Sequence, residues 1–193
     1  MIFNDEESAS LPTVTAVSPS TIGQAAAGRQ LTITGTEFTD SSVVSFSGTG
    51  FGVTQTTFVD SSTLVATVGT AQTTRVGVRD VLVTNLAVGS GTCTGCLTVT
   101  AQPVPKTVTP SSAAQATTTR VTLTGTGFQP GATVLITGRA GVRATVTFVS
   151  ATKLTLSVTV SRTAGLGTYT VKVVNPDGGG GTCVNCFSVT ASG

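Results

Sequence analysis

The chain has 193 residues, a net charge of +2, only 9% charged residues and a mean hydropathy of +0.36. So little charge on so apolar a chain excludes disorder for most of its length, and no apolar run approaches the roughly 18 residues of a membrane-spanning helix. There is no His, which removes the Ser-His-Asp and Cys-His routes to nucleophilic catalysis.

Residues 1–11 carry neither a basic n-region nor an apolar h-region, so they do not read as a secretory signal. Asp5, Glu6 and Glu7 give this start a charge of −3 beside the apolar Ile2 and Phe3. Two readings stand: a frayed end, or an extended N-terminal arm whose Ile2, Phe3, Asp5, Glu6 and Glu7 dock on a partner.

Short strands follow. Thr13 to Val17 precedes the break Ser18-Pro19-Ser20, and Gln30 to Thr34 alternates with Leu31 and Ile33 on one face. Val44 and Phe46 alternate likewise before the turn Gly48-Thr49-Gly50. Thr54 to Val59 and Leu64 to Val68 pair around Asp60-Ser61-Ser62. The longest strand is expected over Val76 to Asn85, with Val81 and Val83 inward, and the last over Leu97 to Thr100. Thr, Val and Gly dominate and no helical period occurs. Val43, Val65 and Leu135 fall out of phase with their core neighbours and are expected to face outward.

The same pattern then returns. Thr34-Gly35-Thr36-Glu37-Phe38 recurs 90 residues later as Thr124-Gly125-Thr126-Gly127-Phe128, and Cys93-Thr94-Gly95-Cys96 as Cys183-Val184-Asn185-Cys186. Phe58 and Phe148, and Asn85 and Asn175, keep that offset. Two segments in such register are two copies of one folding unit. The division is an arm over 1–11, one domain over 12–101 and a second over 102–193, joined by the proline-stiffened Ala101 to Pro105. In the second copy the inward pairs are Val121 and Leu123, Val134 and Ile136, Val146 and Phe148, Leu154 and Leu156, Val171 and Val173, and Phe187 and Val189. About seven short strands per copy make the fold class all-β: two tandem immunoglobulin-like β-sandwiches. Tyr169 sits where a tyrosine corner belongs, and Arg79 is its counterpart, so the corner is expected in one copy only.

Charge is uneven between the copies: residues 10–101 sum to −1 and residues 102–193 to +6. The acidic start and the basic second half can attract each other within or between molecules, or all of this is scattered solubilising charge.

Thr-Gly-Thr-x-Phe after an alternating strand, the turn Asn175-Pro176-Asp177-Gly178 and a closing Cys-x-x-Cys strand resemble the IPT/TIG domains, from Pro12 to Ser192. The first copy departs from the pattern at Glu37 and at Asn85-Leu86-Ala87. The Cys-x-x-Cys form is similar to that of bacterial and bacteriophage surface proteins. The resemblance implies a spacer, adhesion or decoration module. In animal receptors and some transcription factors such domains bind protein or DNA, so the fold alone assigns no function.

In a regular strand, residues i and i+3 lie roughly 10 Å apart, beyond the ~7 Å reach of a disulfide. Bridging Cys93 to Cys96, or Cys183 to Cys186, therefore needs the chain to turn between them. Gly95 and Asn185 are the residue types that adopt positive φ at the third position of a type II turn, which favours two disulfides pinning the final hairpins. Free thiols, or a metal or redox pair, are the other readings. Without His, and with two thiols per copy, zinc lacks ligands, and a redox motif lacks its βαβ setting.

No cofactor or resident metal is expected. Asp40, Asp60 and Asp80 fall in turns or at a strand without an identifiable partner carboxylate, the joint has no acidic ligand for calcium, and the run Gly178 to Gly181 precedes no helix that would cradle phosphate. The basic residues lie on different strands with few aromatics, so nucleic acid is not an expected partner. The expectation is a non-enzymatic structural or interaction protein. Its first form is a bacteriophage virion protein decorating a capsid or tail through the arm, with protein partners that include self-association. Its second is a spacer, adhesion or carbohydrate-binding module at a bacterial cell surface, meeting a host-surface glycan.

Overall fold

A computed structural model describes residues 10–86 and 88–193, and the proposed arm residues Ile2, Phe3, Asp5, Glu6 and Glu7 lie outside them. Every regular element described is a strand. Among the described residues no helix is long and apolar enough to cross a membrane.

The chain separates into two compact units. Among the described residues the first comprises the chain up to Ile22 and Ala27–Val99, and the second comprises Gly23–Ala26 and Thr100–Gly193. The first unit's strands are β1 (Thr13–Ser18), β2 (Thr21–Gly23), β3 (Arg29–Thr36), β4 (Val43–Phe46), β5 (Phe51–Asp60), β6 (Thr63–Thr70), β7 (Gly77–Asn85) and β8 (Gly89–Thr100). The second unit's are β9 (Val104–Thr109), β10 (Ser112–Ala114), β11 (Thr118–Thr126), β12 (Thr133–Thr137), β13 (Val142–Ser150), β14 (Lys153–Val160), β15 (Gly167–Val174) and β16 (Gly180–Thr190).

Each copy builds two four-stranded sheets in the same order. The first unit has β1-β3-β6-β5 and β2-β8-β7-β4, and the second has β9-β11-β14-β13 and β10-β16-β15-β12. The opening strand is split, its first half pairing antiparallel in one sheet and its second half, β10, running parallel to β16 in the other. This is the aligned two-sheet arrangement of immunoglobulin-like domains. Both cores are filled from the alternating positions. Leu31, Ile33, Leu64, Val81, Val83 and Leu97 are fully buried in one, and Val121, Leu123, Leu154, Val171 and Val173 in the other. Val43 and Leu135 are half exposed on the outer side, as their phase demands, whereas Val65 is only partly exposed.

The shared Thr-Gly-Thr-x-Phe motif has a steric cause. Phe38 and Phe128 are buried plugs at 3% and 2% exposure. A Cβ on Gly35 would stand 1.9 Å from the Thr13 carbonyl oxygen and 2.5 Å from the Phe38 ring, and one on Gly125 would stand 2.3 Å from the Val104 oxygen and 2.6 Å from the Phe128 ring. Only glycine lets the phenyl ring and the first strand close on the same spot.

Two expectations need correction. The longest strand is not β7 but the last one of each copy, since β8 starts at Gly89 and β16 at Gly180, well before the cysteines. Their opening residues, Gly-Ser-Gly-Thr and Gly-Gly-Thr, carry no apolar alternation, so they read as loop. They are strand because they continue the ladders with β7 and β15, Gly91 opposite Val83 and Gly181 opposite Val173, and glycine marks the closest approaches: a Cβ on Gly181 would lie 1.7 Å from the Pro103 oxygen. The cysteines, secondly, do not sit in a hairpin turn; the strand bulges and continues through them. The tyrosine corner is present in the second copy only, as expected, and the first copy carries a substitute for it. Tyr169, fully buried, donates its hydroxyl to the Gly165 carbonyl at 2.7 Å, and Arg79 donates through its guanidinium to the carbonyl of Arg75, the equivalent position four residues upstream.

Candidate functional site

The two cysteine bulges are built alike. Arg79 pairs with Leu97 and Val81 with Cys93, so residues 94–96 oppose Asp80 alone. Tyr169 pairs with Phe187 and Val171 with Cys183, so residues 184–186 oppose Thr170 alone. Gly95 at φ 67° and Asn185 at φ 55° reverse the local coil, and the two Cα atoms of each Cys pair come within 5.7 Å, inside the span a disulfide bridges. The structure joins Cys93 to Cys96 and Cys183 to Cys186. The bulge tips point to solvent, with Val184 69% exposed. In the first copy the Asp80 carboxylate accepts the Gly95 N–H at 2.8 Å, bracing the bulge from the facing strand.

The other acidic side chains serve turns. Asp60 accepts from the Ser62 hydroxyl at 2.6 Å and from the Ser62 N–H at 2.8 Å. The Ser62 hydroxyl, then its N–H, holds this carboxyl below its ordinary range although it is open to solvent. Asp40 is exposed in a turn. Among the described residues no three His, Cys, Asp or Glu side chains gather in a way that would hold a metal.

Sequence reasoning marked Asn85 and Asn175 as a register pair without seeing their task. Both are buried. The Asn85 amide donates to the Glu37 carbonyl at 2.6 Å and accepts from the Ser42 hydroxyl at 2.6 Å. The Asn175 amide donates to the Gly127 carbonyl at 2.8 Å and accepts the Gln129 N–H at 3.2 Å. Each asparagine thus ties the end of its strand to the loop after the Thr-Gly-Thr-x-Phe motif. Asp177, 4% exposed in the second unit, was read only as a turn residue. Its carboxylate accepts from the Thr100 hydroxyl at 2.6 Å, from the Gly179 N–H at 2.8 Å and from the Gln129 amide.

The outward face of the β9-β11-β14-β13 sheet carries hydroxyls and cations in cross-strand rows. Arg143, Thr159 and Thr118 form one row, Thr145, Ser157 and Arg120 the next, and Thr147, Thr155, Thr122 and Thr109 a third. The matching rows of the first unit are Gln55, Thr67 and Gln30, then Thr57, Val65, Thr32 and Ser18. They hold no charge.

Residues 12–100 match the family model described as IPT/TIG domain. A comparison with curated protein sequences gives no match. Among solved structures, the plexin A4 extracellular region spanning domains 1 to 10 is 17% identical with a TM-score of 0.52, over 94% of this chain and 16% of that one. The Yersinia pseudotuberculosis adhesin InvE is 17% identical with a TM-score of 0.33, over 91% of this chain and 58% of that one. The Bacteroides ovatus protein SGBP-B, solved with a mixed-linkage heptasaccharide, is 14% identical with a TM-score of 0.34, over 90% and 43%. The plexin likeness shows the fold, and this chain spans about a sixth of that protein's length.

Proposed function

We propose that the chain is a non-enzymatic structural and interaction protein, from the match of residues 12–100 to the IPT/TIG domain model and the strand-for-strand repeat of their sandwich in the second unit. In its finer form it decorates a bacteriophage capsid or tail. Residues 1–11 are the attachment arm, and 12–101 and 102–193 are the presented domains. The observation that carries this reading is that the acidic start has no counterpart in an otherwise faithful duplication, so it stands outside the needs of the fold. Deleting residues 1–11 is expected to abolish incorporation into purified particles while leaving the thermal unfolding of both sandwiches unchanged. Incorporation of the truncated chain at the full level would refute the arm.

The cysteine pairs favour a second reading, a spacer or adhesion module at a cell surface, because disulfides persist in oxidising surroundings. Binding of the purified chain to bacterial or host-surface glycans, with no uptake into virions, is the outcome that selects it.

A further inference from the structure

We infer that the outward face of the β9-β11-β14-β13 sheet is a binding surface for an anionic polysaccharide, one bearing sulfate or carboxylate groups along its length. The inference rests on the interaction-protein reading above and adds to it a face and a ligand class.

Four observations converge. First, the face is positively charged and unopposed. Arg120, Arg143 and Lys153 all lie exposed on the outward positions of three adjacent strands. The only acidic residue between 102 and 193 is Asp177, which is buried.

Second, the cations stand in depressions lined by hydroxyls. One hollow of about 390 Å³ is lined by Arg120, Thr145, Thr147, Thr155 and Ser157 together with the apolar Val149 and Leu156. Another of about 390 Å³ is lined by Gly141, Arg143, Thr159 and Ser161. Guanidinium groups hold oxyanions through paired N–H donors, and threonine hydroxyls both donate to and accept from sugar hydroxyls.

Third, the two arginines are two strands and two residues apart, roughly 12 Å by strand geometry. A single small anion cannot meet both, whereas a chain with repeated charges can. The hollows are open to solvent, which suits weak contacts repeated along a polymer.

Fourth, the first unit supplies an internal comparison. With the same topology and the same threonine-rich surface, it has Gln30 where the second has Arg120 and Thr63 where the second has Lys153. The fold does not require these cations.

Nucleic acid fits less well. The face has no aromatic side chain on which bases would stack, and its charges are sparse beside a phosphate backbone. A protein partner would call for a central apolar or aromatic anchor, and Val149, 52% exposed, is the one apolar side chain in the hollows' lining that reaches solvent.

The test uses the full chain on immobilised heparin as the sulfated probe and polygalacturonate as the carboxylated one, with dextran as the neutral control and duplex DNA as the competitor class. Retention on either acidic polysaccharide at low salt is expected, with none on dextran, little competition from free inorganic sulfate and weaker binding to DNA. The double variant R120Q/R143Q is expected to lose about tenfold in affinity and to lower the slope of log affinity against log salt by about two. The variant R75Q/K172Q removes equal charge from exposed positions outside this sheet, Arg75 in the first unit and Lys172 on β15, and is expected to change affinity less than about twofold. Failure to bind either acidic polysaccharide, tighter binding to DNA, or equal losses in the two variants would overturn the inference. Matching thermal unfolding of the variants keeps folding out of the comparison. Removal of residues 1–11 is expected to leave this binding intact, so its failure and that of the arm are separable.

Discussion

Glu37 holds its backbone at φ 58°, a left-handed conformation that the second copy gives to Gly127 at φ 72°. A side chain there costs about 1–2 kcal/mol, partly offset by the larger entropy that glycine loses on folding. Glu37→Gly is therefore expected to stabilise the first sandwich by about 0.5–1 kcal/mol in urea titration. Asn85→Ala is expected to cost about 1–3 kcal/mol, because the Glu37 carbonyl and the Ser42 hydroxyl lose a buried partner. Asp60 tests a pH effect. Its folded pKa is depressed below 3.8 by Ser62, so the stability it contributes is complete above the unfolded carboxyl's pKa and is lost as pH falls through the lower, folded value. Carboxyl titration by NMR is expected to place Asp60 below 3.8, and Ser62→Ala to return it upward. Several of these residues were visible in the sequence as types in register. Their partners were not, since hydrogen bonds between residues more than 40 positions apart depend on which loops the topology brings together.

At the scale of elements, apolar alternation located β3, β6, β7, β11, β14 and β15 because one face of each is buried and the other is not. It failed on the opening halves of β8 and β16, where close backbone approach selects glycine and leaves no hydrophobic period to read. The positive φ expected at Gly95 and Asn185 is present, but its setting is different. Sequence spacing told that the chain must coil between the cysteines and could not tell a turn from a bulge, because both bring the Cα atoms together. The bulge makes a measurable claim. Each four-residue ring closed by a disulfide contributes about 2 kcal/mol by chain-entropy arithmetic. Intact-mass measurement before reduction is expected to find two hydrogens missing per pair. Reductant, or Cys93→Ser with Cys96→Ser, is expected to lower the stability of the affected sandwich by about that amount. The outward cations of β11, β13 and β14 read in the sequence either as a basic half that attracts the acidic start or as scattered charge. Register places them on one face, and register is what a list of charges lacks.

For the whole molecule, the duplication was legible from end to end because the 90-residue offset holds through motifs, turns and cysteines. The function was less legible, since a fold of this kind assigns no partner by itself. The basic half is expected to show itself as salt-dependent retention on acidic polysaccharide, and the acidic start as a requirement for assembly. Two assays on one protein thus separate what the domains present from what anchors them.

Identical strand order in the two sandwiches also bears on how the polypeptide reaches its native state. Every ribbon of one half has a seat of the same order and direction in the other, so an unfolded chain can exchange partners between neighbours, a characteristic hazard of repeated domains. The corner residue discriminates between the seats: a phenol ring enclosed by the interior in one, a guanidinium in the other. Divergence at that place is expected to make each ribbon fit its own half better than its twin's, and Arg79→Tyr is expected to raise the share of misassembled chains recovered on refolding.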